Sequence, residues 1–181
     1  MSDLHDQILG HVPALRAFAR SLTRDAARAD DLVQDTLVKA ISNLEKFREG
    51  TNLRAWLFTI QRNLFYSERR KAARETEDPE GDLAGQLAVK PDHDGRLQFA
   101  EFQDAFAKLS AEQREALTLV GAMGLSYQEA SDTIGVAVGT VKSRVGRARK
   151  ELARLMDLEG SSLSEATDSR THAVISMAPS T

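Results

Sequence analysis

Within residues 138 to 152, Lys142, Arg144, Arg147, Arg149 and Lys150 alternate with the small residues Gly139, Thr140, Ser143 and Gly146. Guanidinium forks match the acceptor edge of guanine, ammonium groups neutralise phosphate, and small neighbours let a backbone come close to a groove. The chemistry on offer is therefore recognition of duplex DNA rather than the making or breaking of bonds. On a helical wheel with Val141 at zero and about 100° per residue, Gly139, Ser143, Gly146, Arg147 and Lys150 lie within about 50° of the outward direction. Thr140, Lys142 and Arg144 flank them. The competing explanation is a solvated basic helix end, because Lys and Arg near a C-terminus also suit the helix dipole.

Such a face needs an element that presents it. Val138, Val141, Val145, Ala148 and Leu152 recur at spacings of 3, 4, 3 and 4, so they share the opposite face of one helix and bury it against the helix before. That preceding helix opens with Ser126-Tyr127-Gln128-Glu129, a capping box, and Gly135 supplies the permissive backbone that ends it. Residues 125–149 thus read as a helix-turn-helix whose second helix meets DNA.

A second constellation lies upstream. Leu53, Trp56, Leu57, Ile60 and Leu64 form an apolar stripe after Gly50, with Thr51 or Asn52 as N-cap and Trp56 as a core residue. With Ile60 at the centre, Phe58, Arg62, Phe65, Tyr66 and Arg69 project away from the stripe, and Arg70 and Lys71 extend the basic run. Aromatic rings interleaved with arginines suit unstacked bases and their phosphates. A central helix of a compact bundle instead buries both sides, which would place Phe58 and Phe65 in the core; the sequence leaves both readings open. The arginines belong outside in either case, since unpaired charges are rarely buried.

The rest of the ordered chain also reads as helix, because no stretch alternates with period two over β-branched residues. Leu15, Phe18, Ala19 and Leu22 mark one stripe, and Leu32, Val33, Thr36, Leu37, Ala40, Ile41 and Leu44 a second. Further on, Phe99, Phe102, Phe106 and Leu109 precede another capping box, Ser110-Ala111-Glu112-Gln113, and then Leu117 and Val120. The expected fold is all-α: two small helical domains joined by a flexible acidic linker.

Composition narrows the function further. The 181 residues include no cysteine, which removes disulfides, thiolate metal sites and cysteine nucleophiles, and the four histidines are scattered. Asp30, Asp31 and Asp35 point to different helix faces and lack further oxygen ligands, so neither metal, cofactor nor enzymatic site is expected. No apolar run approaches the roughly 20 residues of a membrane span, which suggests a soluble, cytoplasmic protein. The net charge of −3 hides a segregation: residues 7–75 carry 13 Lys and Arg against 8 Asp and Glu, residues 76–104 carry 2 against 8, and residues 105–156 carry 8 against 5. Two basic blocks flank an acidic one, as befits two nucleic-acid-facing domains and a tether that avoids DNA. The segment 159–181, rich in Ser, Thr and Ala, offers little apolar surface and reads as disordered.

Four motifs in order, residues 29–36, 50–63, Leu109-Ser110 with Arg114, and 139–144, resemble the extracytoplasmic-function sigma factors of the sigma-70 family. The wording of residues 29–37 and 50–60 is most similar to the alphaproteobacterial general-stress-response branch. The resemblance implies sigma region 2 over residues 7–75, an acidic linker over 76–97, sigma region 4 over 98–156 and a disordered tail over 157–181. Region 2 would bind the β′ clamp helices of core RNA polymerase and open the minus-10 element, and region 4 would sit on the β flap and read the minus-35 element, expected to be of GGAA type. By motif position Asp31, Gln34, Asp35 and Thr36 fall in the polymerase-binding segment, although an acidic first half of a helix also suits the dipole. Arg62, Asn63, Arg69 and Arg70 fall in the promoter-melting part, and Thr140, Lys142, Ser143, Arg144 and Arg147 on the recognition helix. The branch implies an anti-sigma factor as partner, with the tethered domains expected to close around it. Two other readings stay in view: a sigma-like decoy that binds an anti-sigma factor, and a stand-alone helix-turn-helix regulator. The acidic segment 29–37 argues against the second.

Overall fold

The computed structural model describes residues 2–75 and 95–156, with side chains over 3–74 and 100–156. The chain divides into two compact units, 1–87 and 88–181. The acidic linker and the C-terminal segment expected to be disordered lie outside the described residues, apart from the linker's last residues, 95–97, which are helical.

In the first unit, α1 (Ser2–Gly10) and α2 (Val12–Thr23) are followed by α3 (Ala26–Ile41), a 3-10 turn at Leu44–Lys46, and the long α4 (Leu53–Glu75). Pro13 sits at the start of α2, where its missing N–H costs nothing. The Asp25 side chain caps α3 by accepting from the Arg28 amide, and Asn52 caps α4 by accepting from the Ala55 amide at 3.2 Å, which decides between the two cap candidates. α1 carries no amphipathic signature strong enough to read, yet it delivers Ile8 to the core, fully buried with Leu15, Phe18, Leu57 and Phe58. The Phe18 and Phe58 rings meet edge to face with centroids 5.0 Å apart.

The inward face of α4 is not the one the stripe suggests. Leu57, Phe58, Gln61 and Phe65 are buried, whereas Trp56, Ile60 and Leu64 are only half-buried. The face is centred on Gln61 rather than Ile60, one residue or about 100° further round. Trp56 is accordingly not a core residue but lies at the margin, tilted against Phe47 at 5.3 Å. On α3 the stripe holds for Leu32, Val33, Thr36 and Ala40, but Ile41 is 44 % exposed and its neighbour Val38 is 65 % exposed.

The second unit comprises α5 (Gly95–Lys108), α6 (Ala111–Leu117) with a π-helical turn over Thr118–Ala122, α7 (Tyr127–Ile134) and α8 (Val138–Leu155). Both capping boxes form: Ser110 with Gln113 at α6, and Ser126 with Glu129 at α7. Gly135, at φ +79°, closes α7 in the left-handed region that glycine adopts without strain. Val141, Val145, Ala148 and Leu152 are fully buried, and α8 packs on α6 as well as on α7. Phe102, Leu109, Leu117, Leu119 and Ala130 complete this core. Each of the Val, Leu and Phe side chains contributes roughly 1.5–3 kcal/mol on burial, so the inner face of α8 is firmly set.

Candidate nucleic-acid and polymerase interfaces

On α8, Gly139, Thr140, Lys142, Ser143, Gly146, Arg147 and Lys150 are exposed, which is the outward face derived from periodicity. Arg144 is half-buried on the flank, its Nη2 3.4 Å from Glu112 Oε1 on α6. Lys142 on the other flank places its ammonium 5.7 Å from the centre of the Tyr127 ring on α7. Thr140 lies in the first turn of α8, its amide donating to the carbonyl of the N-cap residue Ala137 at 2.9 Å. The turn before it is tied by Ser131, whose hydroxyl donates to the Val136 carbonyl at 2.6 Å, fixing the angle at which α8 leaves α7.

On α4, Asn63, Arg69 and Arg70 are exposed and Arg62 is half-buried. Of the rings between them, Phe58 and Phe65 are core residues, which settles the open alternative against their stacking on bases. Tyr66 remains at the surface margin, with the Arg62 guanidinium 4.5 Å from its centre. Arg69 extends over the outer side of Phe65 at 5.8 Å. The outer half of α4 therefore presents a cationic ridge with a single tyrosine in it, among the described residues.

The acidic segment of α3 borders a groove of about 400 Å³. Arg28, Asp31, Gln34 and Asp35 form its α3 wall, and Phe65 and Glu68 face them from α4. Asp31, Gln34 and Asp35 are exposed, so three of the four polymerase-binding candidates come together. Thr36 does not join them. It is fully buried, and its hydroxyl donates to the Leu32 carbonyl one turn back at 2.6 Å, so it packs in the core beneath that surface. Asp30 is drawn off as well, pairing with Arg16 Nε at 2.8 Å. Glu68, Glu112 and Tyr127 were not singled out as site residues by the sequence reading. Glu68 follows Phe65 by three residues on the same face, which was the available signal; Glu112 carries none, being 32 residues from Arg144.

Two small helical units, one with an acidic groove and a cationic ridge and the other with a capped helix-turn-helix, define a promoter-recognition protein. Residues 8–75 match the family Sigma-70 region 2, and residues 99–152 match Sigma-70, region 4. Over 157 residues the chain is 54 % identical to the ECF RNA polymerase sigma factor EcfG of Rhodopseudomonas palustris, covering 87 % of each protein. It superposes on the sigma factor RpoE of Bartonella quintana, solved in complex with the anti-sigma factor NepR, with TM-score 0.78 and 47 % identity over 88 % of this chain and all of that one. CnrH, solved with the cytosolic domain of CnrY, matches at TM-score 0.63 and 31 % identity over 88 % of this chain and 92 % of that one. The chain belongs to the extracytoplasmic-function sigma factors of the sigma-70 family. No helix among the described residues is long and apolar enough to cross a membrane.

Proposed function

We propose that this protein binds core RNA polymerase in the cytoplasm, directs it to the promoters of general stress-response genes, and is held inactive by an anti-sigma factor. It works by binding and positioning and needs no cofactor. Region 2 docks on the β′ clamp helices through Asp31, Gln34 and Asp35, with the exposed apolar Val38 and Ile41 beyond them on the same helix. Charge complementarity at such a surface sets the rate and register of docking, and apolar contact adds affinity. Arg62, Asn63, Arg69 and Arg70 engage the minus-10 element as its strands separate, the cations following phosphates and Tyr66 offering a ring. Region 4 rests on the β flap and places Thr140, Lys142, Ser143 and Arg147 in the major groove of the minus-35 element, with Arg144 on the flank of the same recognition helix.

The observation that carries this reading is the outward face of α8, where exposed Ser143, Gly146 and Arg147 stand opposite fully buried Val141 and Val145. The anti-sigma partner is supported by the complexes in which RpoE and CnrH were solved. Run-off transcription with core polymerase on a template bearing a GGAA-type minus-35 element tests the proposal. Initiation that requires this protein and vanishes when the element is scrambled is the expected result. Binding to an anti-sigma factor without initiation would favour the decoy reading instead.

A further inference from the structure

Arg144 differs from the other cations of α8 in what it touches. Its side chain keeps only 20 % exposure and reaches Glu112 of α6 at 3.4 Å. Counted round the helix from Val141, it stands about 60° from the inward line, whereas Ser143 and Gly146 stand about 140–160° from it. A side chain so placed runs along α6 rather than out beyond the helix. Glu112 has its own reason to be there: it occupies the first turn of α6, where the helix dipole favours a carboxylate, and the Ser110–Gln113 capping box fixes that turn. On the opposite flank Lys142 meets the ring of Tyr127, the first residue of α7. Two supporting helices thus grip the N-terminal half of α8 from opposite sides.

We propose that Arg144 is a positioning residue. Through Glu112 it sets the rotation of the recognition helix about its own axis, so that Ser143 and Arg147 face the base edges, and it makes no DNA contact of its own. A bidentate arginine contact needs the guanidinium plane aligned with the base, so helix rotation governs discrimination between sequences more than overall affinity. The inference rests on reading α8 as the minus-35 helix.

The test is equilibrium binding of holoenzyme, reconstituted from the full chain and core polymerase, to duplexes with a matched or a scrambled minus-35 element over a range of salt. The variants are R144E, E112R, the double exchange E112R/R144E, and E112Q, with thermal melting recorded for each. R144E and E112R each set like charges face to face, and each is expected to lower matched binding by about tenfold. The double exchange restores the pair in reverse and is expected to return matched binding to within about threefold of wild type, with salt dependence unchanged. If Arg144 touches DNA, glutamate at 144 repels it whatever stands at 112: the double exchange then stays as weak as R144E and its salt slope falls by about one, which overturns the proposal. E112Q gives an answer even where a charge reversal fails to fold. It is expected to lower the matched-to-scrambled ratio by about threefold, whereas an equal gain on both duplexes would mean that Glu112 merely competes for a DNA-contacting arginine. A wild-type holoenzyme with no preference for the matched duplex would overturn the minus-35 reading of α8, and the positioning role would fall with it.

Discussion

The Gln61 side chain, fully buried between α2 and α4, donates its Nε2 to the Leu15 carbonyl at 3.1 Å while its Oε1 has no hydrogen-bond partner. Leu15 lies within α2, where its carbonyl already has a place in the helix ladder. The donated bond is thus an addition to a satisfied acceptor, and the buried oxygen is an uncompensated desolvation. Gln61→Met keeps the volume and removes the orphan oxygen, so it is expected to raise unfolding stability by about 1 kcal/mol. Urea denaturation measures it; a midpoint lowered by the substitution would show that the Leu15 bond outweighs the orphan.

The same residue explains where sequence and structure part. Gln61 is polar and sits at the centre of the inward face of α4, flanked by Phe58 and Phe65. A wheel weighted by apolar residues shifts the face toward Ile60, and the shift turns two core phenylalanines outward. On α8 nothing polar intrudes between Val141, Val145, Ala148 and Leu152, and there the predicted stripe is buried apart from its first member, Val138, which is half-buried at the start of the helix. Capping boxes at Ser110 and Ser126 are local and legible for the same reason. Contacts made over long separations, Arg16 with Asp30 or Arg144 with Glu112, leave no local pattern. Neither does the π-helical turn at Thr118–Ala122, where the Met123 amide donates to the Thr118 carbonyl at 2.8 Å.

Stability should respond to pH through His11, at the junction of α1 and α2. Burial first, and the positive charge of Arg54 second, hold its imidazole below the ordinary value of 6.5. The folded state therefore resists a proton that the unfolded chain accepts. Its contribution is intact above 6.5 and is lost as pH falls from there through the lower folded value. His11→Gln should flatten this part of the profile: between pH 7.5 and 5.5 the wild type loses more stability than the variant. Parallel profiles in urea denaturation would show that His11 is not the group responsible.

Arg147 is exposed on the outward face of α8, beside Ser143 and Gly146. If its fork engages a guanine, Arg147→Ala should weaken holoenzyme binding to the matched minus-35 element by about 1–3 kcal/mol and relax preference at one position of the element. A phosphate contact would give a different pattern, an equal loss on matched and scrambled duplexes with a smaller salt slope. Titrating both duplexes with wild type and variant separates the two.

Asp35 and Thr36 are neighbours in sequence with opposite surroundings. Asp35 is exposed on the wall of the groove between α3 and α4, opposite Glu68, while Thr36 is sealed in the core with its hydroxyl on the Leu32 carbonyl. If this wall docks on core polymerase, reversing the charge with Asp35→Lys should weaken that binding by about tenfold or more, with little change in folding, because nothing beneath the surface is altered. Thr36→Val preserves shape and removes a hydroxyl that only its own helix uses. Core affinity should be unchanged, and stability should shift by about 1 kcal/mol at most. Competition binding to core polymerase, with circular dichroism melts of both variants, measures the pair. Loss of affinity in Thr36→Val with an unaltered melt would mean that α3 rearranges on docking to expose this residue, and the groove would then have to be redrawn around it.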